Sequence, residues 1–355
     1  MKKLSINYYG SFQWGDGYGT SNMHWAKYLE RAGVKIYPFF TFEGRERYWV
    51  EGNPEEIIIL NRPFEKKKIG VIETPPEFFA SNISDIKIGS TMAETTEIDK
   101  FWVDQCNQMD YLVLPSTFQK EVFSKCGVRV PIKVIPFGTE FGYFKPKVRP
   151  KRKVFTFGSL GFFMPTRDEN DRKGFWKLIQ AFISEFEPNE PVRLLIKSSS
   201  EESKFFVNWK DPRIEVRTDI VSREKLAEVY YEMDCFVLPT RGEGVGQPPR
   251  EAMATGIPAI MTNWSSLADI CNEEICYPLN DYKLVRRTGF NRQPGLWADV
   301  NVRELMYWMR YVYEHQEEAR QKGKRSSKWI REHFSWENSA KKMREFLEEL
   351  NGKVR

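Results

Sequence analysis

Apolar residues in this chain fall into short runs bounded by glycine, proline and polar clusters, and the runs alternate with stretches of helical spacing. Lys3–Tyr9 reads as a first strand, followed by GSFQWGDGYGTSN, a helical pattern over Met23–Arg31 that Gly33 stops, and a second strand over Val34–Phe42. Strand, glycine loop, helix and strand make a βαβ unit, which predicts a parallel sheet. Further strands are expected at Ile57–Leu60, Lys68–Ile72, Lys87–Met92, Tyr111–Leu114 and Lys133–Pro136, with helices over Glu97–Met109 and Phe118–Cys126. Phe144–Lys153 is basic, punctuated by proline and without apolar periodicity, so it reads as a linker. A second α/β series follows. Its strands are Lys153–Phe157, Val192–Lys197 and Ile214–Arg217, and its helices are Gly174–Phe186 and Glu224–Met233. The tail from Val302 to Leu350 is helical by spacing, with breaks expected near Gly323 and at His333-Phe334-Ser335. At 355 residues there is room for two domains, each with its own core.

The densest stretch is CFVLPTRGEGVGQPPREAMATGIPAIM, Cys235 to Met261. Cys235–Leu238 has the continuous apolar character of a strand buried on both faces. Gly242, Gly244 and Gly246 let the backbone turn and approach a ligand. Pro248 and Pro249 suit the first helical positions, Gly256 suits the helix stop, and Ile257-Pro258-Ala259-Ile260 starts the next strand. A glycine loop feeding a helix N-terminus favours an anion such as phosphate. Glu243 and Glu251 bracket that position, and carboxylates beside a phosphate are suited to neutral hydroxyls. Hydroxyl-bearing rings on either side of a diphosphate describe a nucleotide sugar.

The string EGVGQPPREAMATGIP resembles the E-x7-E signature of retaining glycosyltransferases of the GT-B fold, in particular glycosyltransferase family 4. IGSTMAET, CNQMDYLVLPSTFQKEVFSKCGV, VIPFGTEFGYFKP and His333-Phe334-Ser335-Trp336-Glu337 extend the resemblance over nearly the whole chain, although the stretch from Gly44 to Lys68 matches poorly. The resemblance implies an α/β chain of two Rossmann-like domains whose parallel sheets face a central cleft. Residues 1–146 would form the acceptor-side domain, 147–153 a basic linker, 154–334 the nucleotide-sugar domain, and 335–355 a last helix returning to the first domain.

It also implies roles for particular residues. Lys173 would reach the donor diphosphate, with either Arg167 or Arg172 as a second cation, offsetting the charge that grows as the glycosidic bond breaks. Glu243 would contact sugar hydroxyls near the reacting carbon, and Glu251 the ribose hydroxyls. The amides of Gly244, Val245 and Gly246 would face the phosphates, and Thr218–Ser222 the base. The Gly15, Gly17, Gly19 pattern is G-x-G-x-G rather than a dinucleotide fingerprint, and in this context Gly17 and Gly19 would approach the donor phosphate. Many family members carry a first-domain histidine against the sugar. Here the histidines are His24, His315 and His333, and none ends a mid-domain strand. Glu73 in GVIETPP and Glu94 in MAET take its place as candidates to orient sugar or acceptor, the alternative for either being a buried capping carboxylate. No Asp-x-Asp motif stands at a strand end to hold a metal ion, so metal-independent transfer is expected, with no cofactor beyond the nucleotide-diphosphate sugar.

Composition narrows the partners. With 41% hydrophobic and 29% charged residues the chain is that of a globular enzyme, and no apolar run approaches the roughly 20 residues that span a bilayer. The first residues lack a signal-peptide core, so a cytosolic protein is expected. The five cysteines lack metal-ligand spacing and are expected to be free thiols. The net charge of +5 is mild, and no nucleic-acid partner is expected. Five of the seven residues of KVRPKRK (Lys147–Lys153) are basic, which suits either a solvated linker or an anionic partner, such as a phospholipid headgroup at the inner membrane face or an acidic glycan. The expected partners are a UDP- or GDP-sugar and a glycan, lipid or small-molecule acceptor. Competing readings are a nicotinamide-dependent oxidoreductase, a GT-B sugar phosphorylase and a non-catalytic glycan- or membrane-binding module.

Overall fold

The computed structural model describes residues 4–12, 17–41, 54–150, 152–161, 171–198, 211–287 and 294–352. The chain divides into two units. The first comprises Met1–Ala93, Glu97–Gly138 and Phe334–Arg355, and the second Glu94–Thr96 and Thr139–His333.

In the first unit six strands, β1 (Ser5–Gly10), β2 (Lys35–Phe40), β3 (Ile69–Glu73), β4 (Ile86–Ser90), β5 (Tyr111–Leu114) and β6 (Ile132–Val134), pair in parallel in the order β2-β1-β3-β4-β5-β6. Helices α1 (Gly17–Arg31), α2 (Pro54–Leu60), α3 (Lys100–Cys106) and α4 (Thr117–Lys125) connect them. Asp99 and Ser116 cap α3 and α4 by accepting from Trp102 N and Gln119 N.

The second unit repeats the plan. Strands β7 (Phe155–Leu160), β8 (Val192–Lys197), β9 (Ile214–Arg217), β10 (Cys235–Leu238), β11 (Ala259–Thr262) and β12 (Tyr277–Leu279) form a second parallel sheet, ordered β12-β11-β10-β7-β8-β9. An antiparallel hairpin of β13 (Tyr282–Arg286) and β14 (Leu296–Val300) follows. Helices α5 (Phe175–Glu185), α6 (Arg223–Glu232), α7 (Gln247–Ala254), α8 (Val302–Glu314) and α9 (Gln316–His333) complete this unit. Its core joins Phe157, Leu178, Phe182, Leu194, Val237 and Ile260 to Leu305 and Met309 of α8. The last helix, α10 (Trp336–Gly352), belongs to the first unit, where the Trp336 ring meets Trp25 at 5.2 Å and stacks on His24 at 5.0 Å. Among the described residues no helix is long and apolar enough to cross a membrane.

Three local expectations are corrected. Ile57–Leu60 is the end of α2 rather than a strand. Pro54 starts the helix, Glu55 and Glu56 favour its N-terminus, and Ile59 and Leu60 are buried while Ile57 and Ile58 face out, which is helical and not alternating burial. Helix α1 begins at Gly17, earlier than Met23. Gly323 lies inside α9, and the break falls instead at His315. A Cβ on Gly323 would run into the carbonyl oxygen of Gly256, so this glycine lets α9 close onto the end of α7 rather than stopping a helix.

The basic stretch is fastened to the second unit. Arg149 donates to the carbonyls of Met233 and Thr255 at 2.9 and 3.0 Å, and Arg152 to those of Glu232 and Tyr231 at 2.6 and 2.5 Å. Both arginines thus cap the C-terminal carbonyls of α6, and Arg149 also that of α7. Lys147 lies over the Tyr231 ring at 4.1 Å. Phe144 meets Tyr230 at 5.5 Å and Glu140 pairs with Arg223, which is why the chain joins the second unit from Thr139 onward, ahead of the basic residues.

Candidate functional site

The strand order of the second sheet reverses between β7 and β10, and an open α/β sheet binds its ligands beyond the C-terminal ends of the strands at such a reversal. The loops that leave these two strands carry Arg172-Lys173 and Thr240–Gly246. Their side chains converge. Lys173 Nζ donates to both carboxylate oxygens of Glu243 at 2.8 and 2.9 Å, and Thr240 Oγ1 donates to Glu243 Oε1 at 2.9 Å. Arg172 reaches Glu243 Oε1 with its NH1 at 3.3 Å and Glu94 Oε2 with its Nε at 3.1 Å. Lys173 and Glu243 are buried, at 7% and 4% exposure. Burial alone would raise the Glu243 pKa, but the ammonium of Lys173 and the guanidinium of Arg172 outweigh it and hold the carboxyl below its usual range. The result is a carboxylate held between Lys173 and Arg172 beyond the strand ends, where burial pulls the Lys173 pKa down against the raising effect of Glu243.

Gly246 caps α7 in the left-handed conformation, φ 74°. Pro248 and Pro249 contribute no N–H to the helix start, so main-chain donors at this end come from the loop through Gly244, Val245 and Gly246 and from Gln247. Glu251 lies beyond the first turn of α7. It is buried, accepting from Arg223 NH2 at 2.8 Å and from Tyr230 OH at 2.9 Å. Each oxygen keeps a further lone pair for a ligand hydroxyl. Arg223 is shared with Glu140 at 3.5 Å. In the segment expected to face the base, Thr218–Ser222, the Asp219 carbonyl accepts from Lys197 Nζ and Ser222 caps α6.

The first unit holds Gly17, Gly19 and Glu73. Gly17 and Gly19 form the first turn of α1, Gly17 exposed and Gly19 buried, rather than a free loop ahead of the helix. Glu73 ends β3 and is fully buried, accepting from Tyr8 OH at 2.7 Å and from Ser21 Oγ. Its own carbonyl accepts from Asn22 Nδ2 at 3.2 Å, so Glu73 ties β3 to α1. Arg167 and Gly15 lie outside the described residues. Among the described residues, no group of three His, Cys, Asp or Glu side chains is placed to hold a metal ion.

Burial raises the Glu73 pKa to about 8, against the lowering effect of the Ser21 and Tyr8 hydrogen bonds. Between the ordinary carboxyl value and pH 8 the folded chain therefore keeps a proton that the unfolded chain has released, so stability falls as pH rises through that window. Glu73→Gln should remove this dependence while one hydroxyl goes on donating to the amide oxygen and the other turns to accept from the amide nitrogen. Relative to the parent it should gain up to about 1.4 kcal/mol per pH unit within the window. Urea denaturation of both proteins at about pH 5 and pH 8 checks it, and parallel profiles would contradict a neutral Glu73.

Thr240, Arg223, Tyr230 and Ser265, whose Oγ accepts from the Glu243 N–H at 2.9 Å, complete the site, and sequence reasoning does not single them out. Of these, Thr240 alone has a local signal, standing in the same string as Glu243.

The architecture matches known proteins over almost its full length. Sucrose-phosphate synthase from Thermosynechococcus elongatus superposes with a TM-score of 0.73 at 16% identity, covering 99% of this chain and 100% of the other. A glycosyltransferase from Rickettsia africae gives 0.70 at 14% identity over 98% and 99%. HepE from Anabaena, in complex with UDP and glucose, gives 0.68 at 12% identity over 98% and 100%. No curated protein matches the chain in sequence. The fold is that of the GT-B glycosyltransferases. Residues 160–286, which contain both halves of the Lys173–Glu243 site, match the family Glycosyl transferases group 1.

Proposed function

We propose that this chain is a retaining glycosyltransferase that moves a sugar from a nucleotide-diphosphate sugar to a hydroxyl acceptor. The observation that carries the reading is the buried Lys173–Glu243 pair, with Arg172 alongside, at the strand-order reversal within the segment that matches the family. In this account the donor diphosphate lies against Lys173 and Arg172, the ribose hydroxyls donate to Glu251, and Glu243 accepts from hydroxyls of the transferred sugar. The bond between the anomeric carbon and the diphosphate oxygen loosens to an oxocarbenium-like state, and the acceptor hydroxyl attacks from the same face. Its proton passes to the departing diphosphate, so no strong enzymatic base is needed. UDP- and GDP-sugars are the expected donors, and HepE, which holds UDP and glucose on the same fold, favours testing UDP-glucose first. The acceptor is a glycan, a lipid or a small molecule.

Two cations at the diphosphate can do the work of a divalent ion, so transfer should survive EDTA. Loss of activity in EDTA that magnesium or manganese restores would contradict this. Donor identity is tested by thermal denaturation against a panel of UDP-, GDP- and ADP-sugars, because a bound donor raises the melting temperature by mass action. A shift with one nucleotide series is the expected result, and no shift with any member would count against the reading.

A further inference from the structure

The loop that carries Glu243 is matched by a second segment, which the chemistry proposed above does not use. Strand β11 runs into a short 3-10 turn, Ser265–Asp269, and residues 264–267 meet the loop at successive points. A Trp264 ring carbon lies 3.1 Å from where a Cβ on Gly242 would stand, a place the Glu94 carbonyl also crowds. Ser265 Oγ accepts from the Glu243 main-chain N–H at 2.9 Å, and a Leu267 methyl fills the place a Cβ on Gly246 would need. Trp264 and Leu267 therefore press on the loop at glycines ahead of and beyond Glu243, and between them Ser265 makes a polar contact. Ser265 is 1% exposed, and at φ 57° it is the one non-glycine residue with positive φ among the described residues. That conformation costs free energy in a residue with a Cβ, and it persists where surrounding contacts over-determine it. Here it bends the chain so that the contacts of residues 264, 265 and 267 with the loop are made together.

We infer that Ser265 is a positioning residue for Glu243, fixing its main chain so that the carboxylate stays between Lys173, Arg172 and Thr240. The inference rests on the role of Glu243 proposed above. Ser265→Gly removes the acceptor but is at ease at positive φ, whereas Ser265→Ala removes the acceptor and keeps the strain. Four quantities are read in the full chain: melting temperature, hydrogen exchange of the peptide containing Glu243, and kcat and KM for the donor, with Glu243→Gln measured in parallel. Ser265→Gly should melt close to the parent, while exchange near Glu243 quickens and kcat falls, each by roughly three- to tenfold as for one lost hydrogen bond, with donor KM little changed. Ser265→Ala should lose the same kcat and also melt lower. Unchanged exchange in Ser265→Gly overturns the inference whatever Glu243 does. So does parental kcat in Ser265→Gly when Glu243→Gln is impaired. Faster exchange with normal turnover in both variants would instead remove Glu243 from the reaction and, with it, overturn the positioning role, leaving Ser265 a scaffold contact.

Discussion

Lys173→Ala should lower turnover by roughly 10²–10³-fold, the scale on which removal of one preorganised charge-stabilising donor acts. In the proposed reaction negative charge accumulates on the diphosphate oxygens as the sugar departs, so an ammonium there would stabilise the transition state more than the bound donor. Donor affinity should therefore fall less than turnover. The geometry adds a second effect. Lys173 bonds both oxygens of buried Glu243, so its removal leaves a poorly compensated charge, and breaking such a pair costs about 3–5 kcal/mol of stability. The two effects separate in Lys173→Met combined with Glu243→Gln, which removes both charges. That double variant should regain most of the stability and none of the turnover. Denaturant titration and steady-state transfer assays read the two quantities, and near-parental turnover in Lys173→Ala would take this residue out of the mechanism.

Glu251→Gln should weaken binding of the nucleotide by about 1.5–3 kcal/mol, the worth of hydrogen bonds to a charged group. The fold should survive, because Arg223 keeps Glu140 as a partner and the amide oxygen introduced by the substitution would still accept from Tyr230. Calorimetry with the nucleoside diphosphate decides it. Parental affinity in a folded variant would make the Glu251–Arg223–Tyr230 cluster a structural tie alone.

Central strands are the most legible elements. Tyr111–Leu114 and Cys235–Leu238 read from the sequence with the bounds the structure gives, because each is a continuous apolar run closed by turn residues. Ile57–Leu60 misleads because four apolar residues carry no period, and the helix is specified instead by Pro54 and the two glutamates after it. The hairpin of β13 and β14 escapes a sequence reading, since YKLVR mixes basic and apolar residues on a largely exposed strand and gives no sign of burial. Gly323 looks like a stop because close approach of two helices selects the same residue as a helix end.

The site divides in the same way. The glycine frame around Glu243, the cations at 172 and 173 and the helix from Gln247 are legible because they are local. The partners are not, because the contacts span 28 residues from Arg223 to Glu251, 70 from Lys173 to Glu243 and 22 from Glu243 to Ser265, and no spacing rule links them. The family resemblance leads one to expect Lys173, with either Arg167 or Arg172, to face a phosphate. In the structure Arg172 and Lys173 pair with Glu94 and Glu243, an arrangement that only the fold brings about.

Transfer with retention at the Lys173–Glu243 site is the proposed reaction. Its most direct test is to incubate the protein with an acceptor and the nucleotide sugar that most raises its melting temperature, then follow the anomeric proton and the released nucleotide by NMR. The expected result is one nucleoside diphosphate released per sugar transferred, a product with the donor's anomeric configuration, and both signals falling together in Lys173→Ala. A product of inverted configuration, or release of nucleotide that Lys173→Ala leaves unchanged, would contradict it.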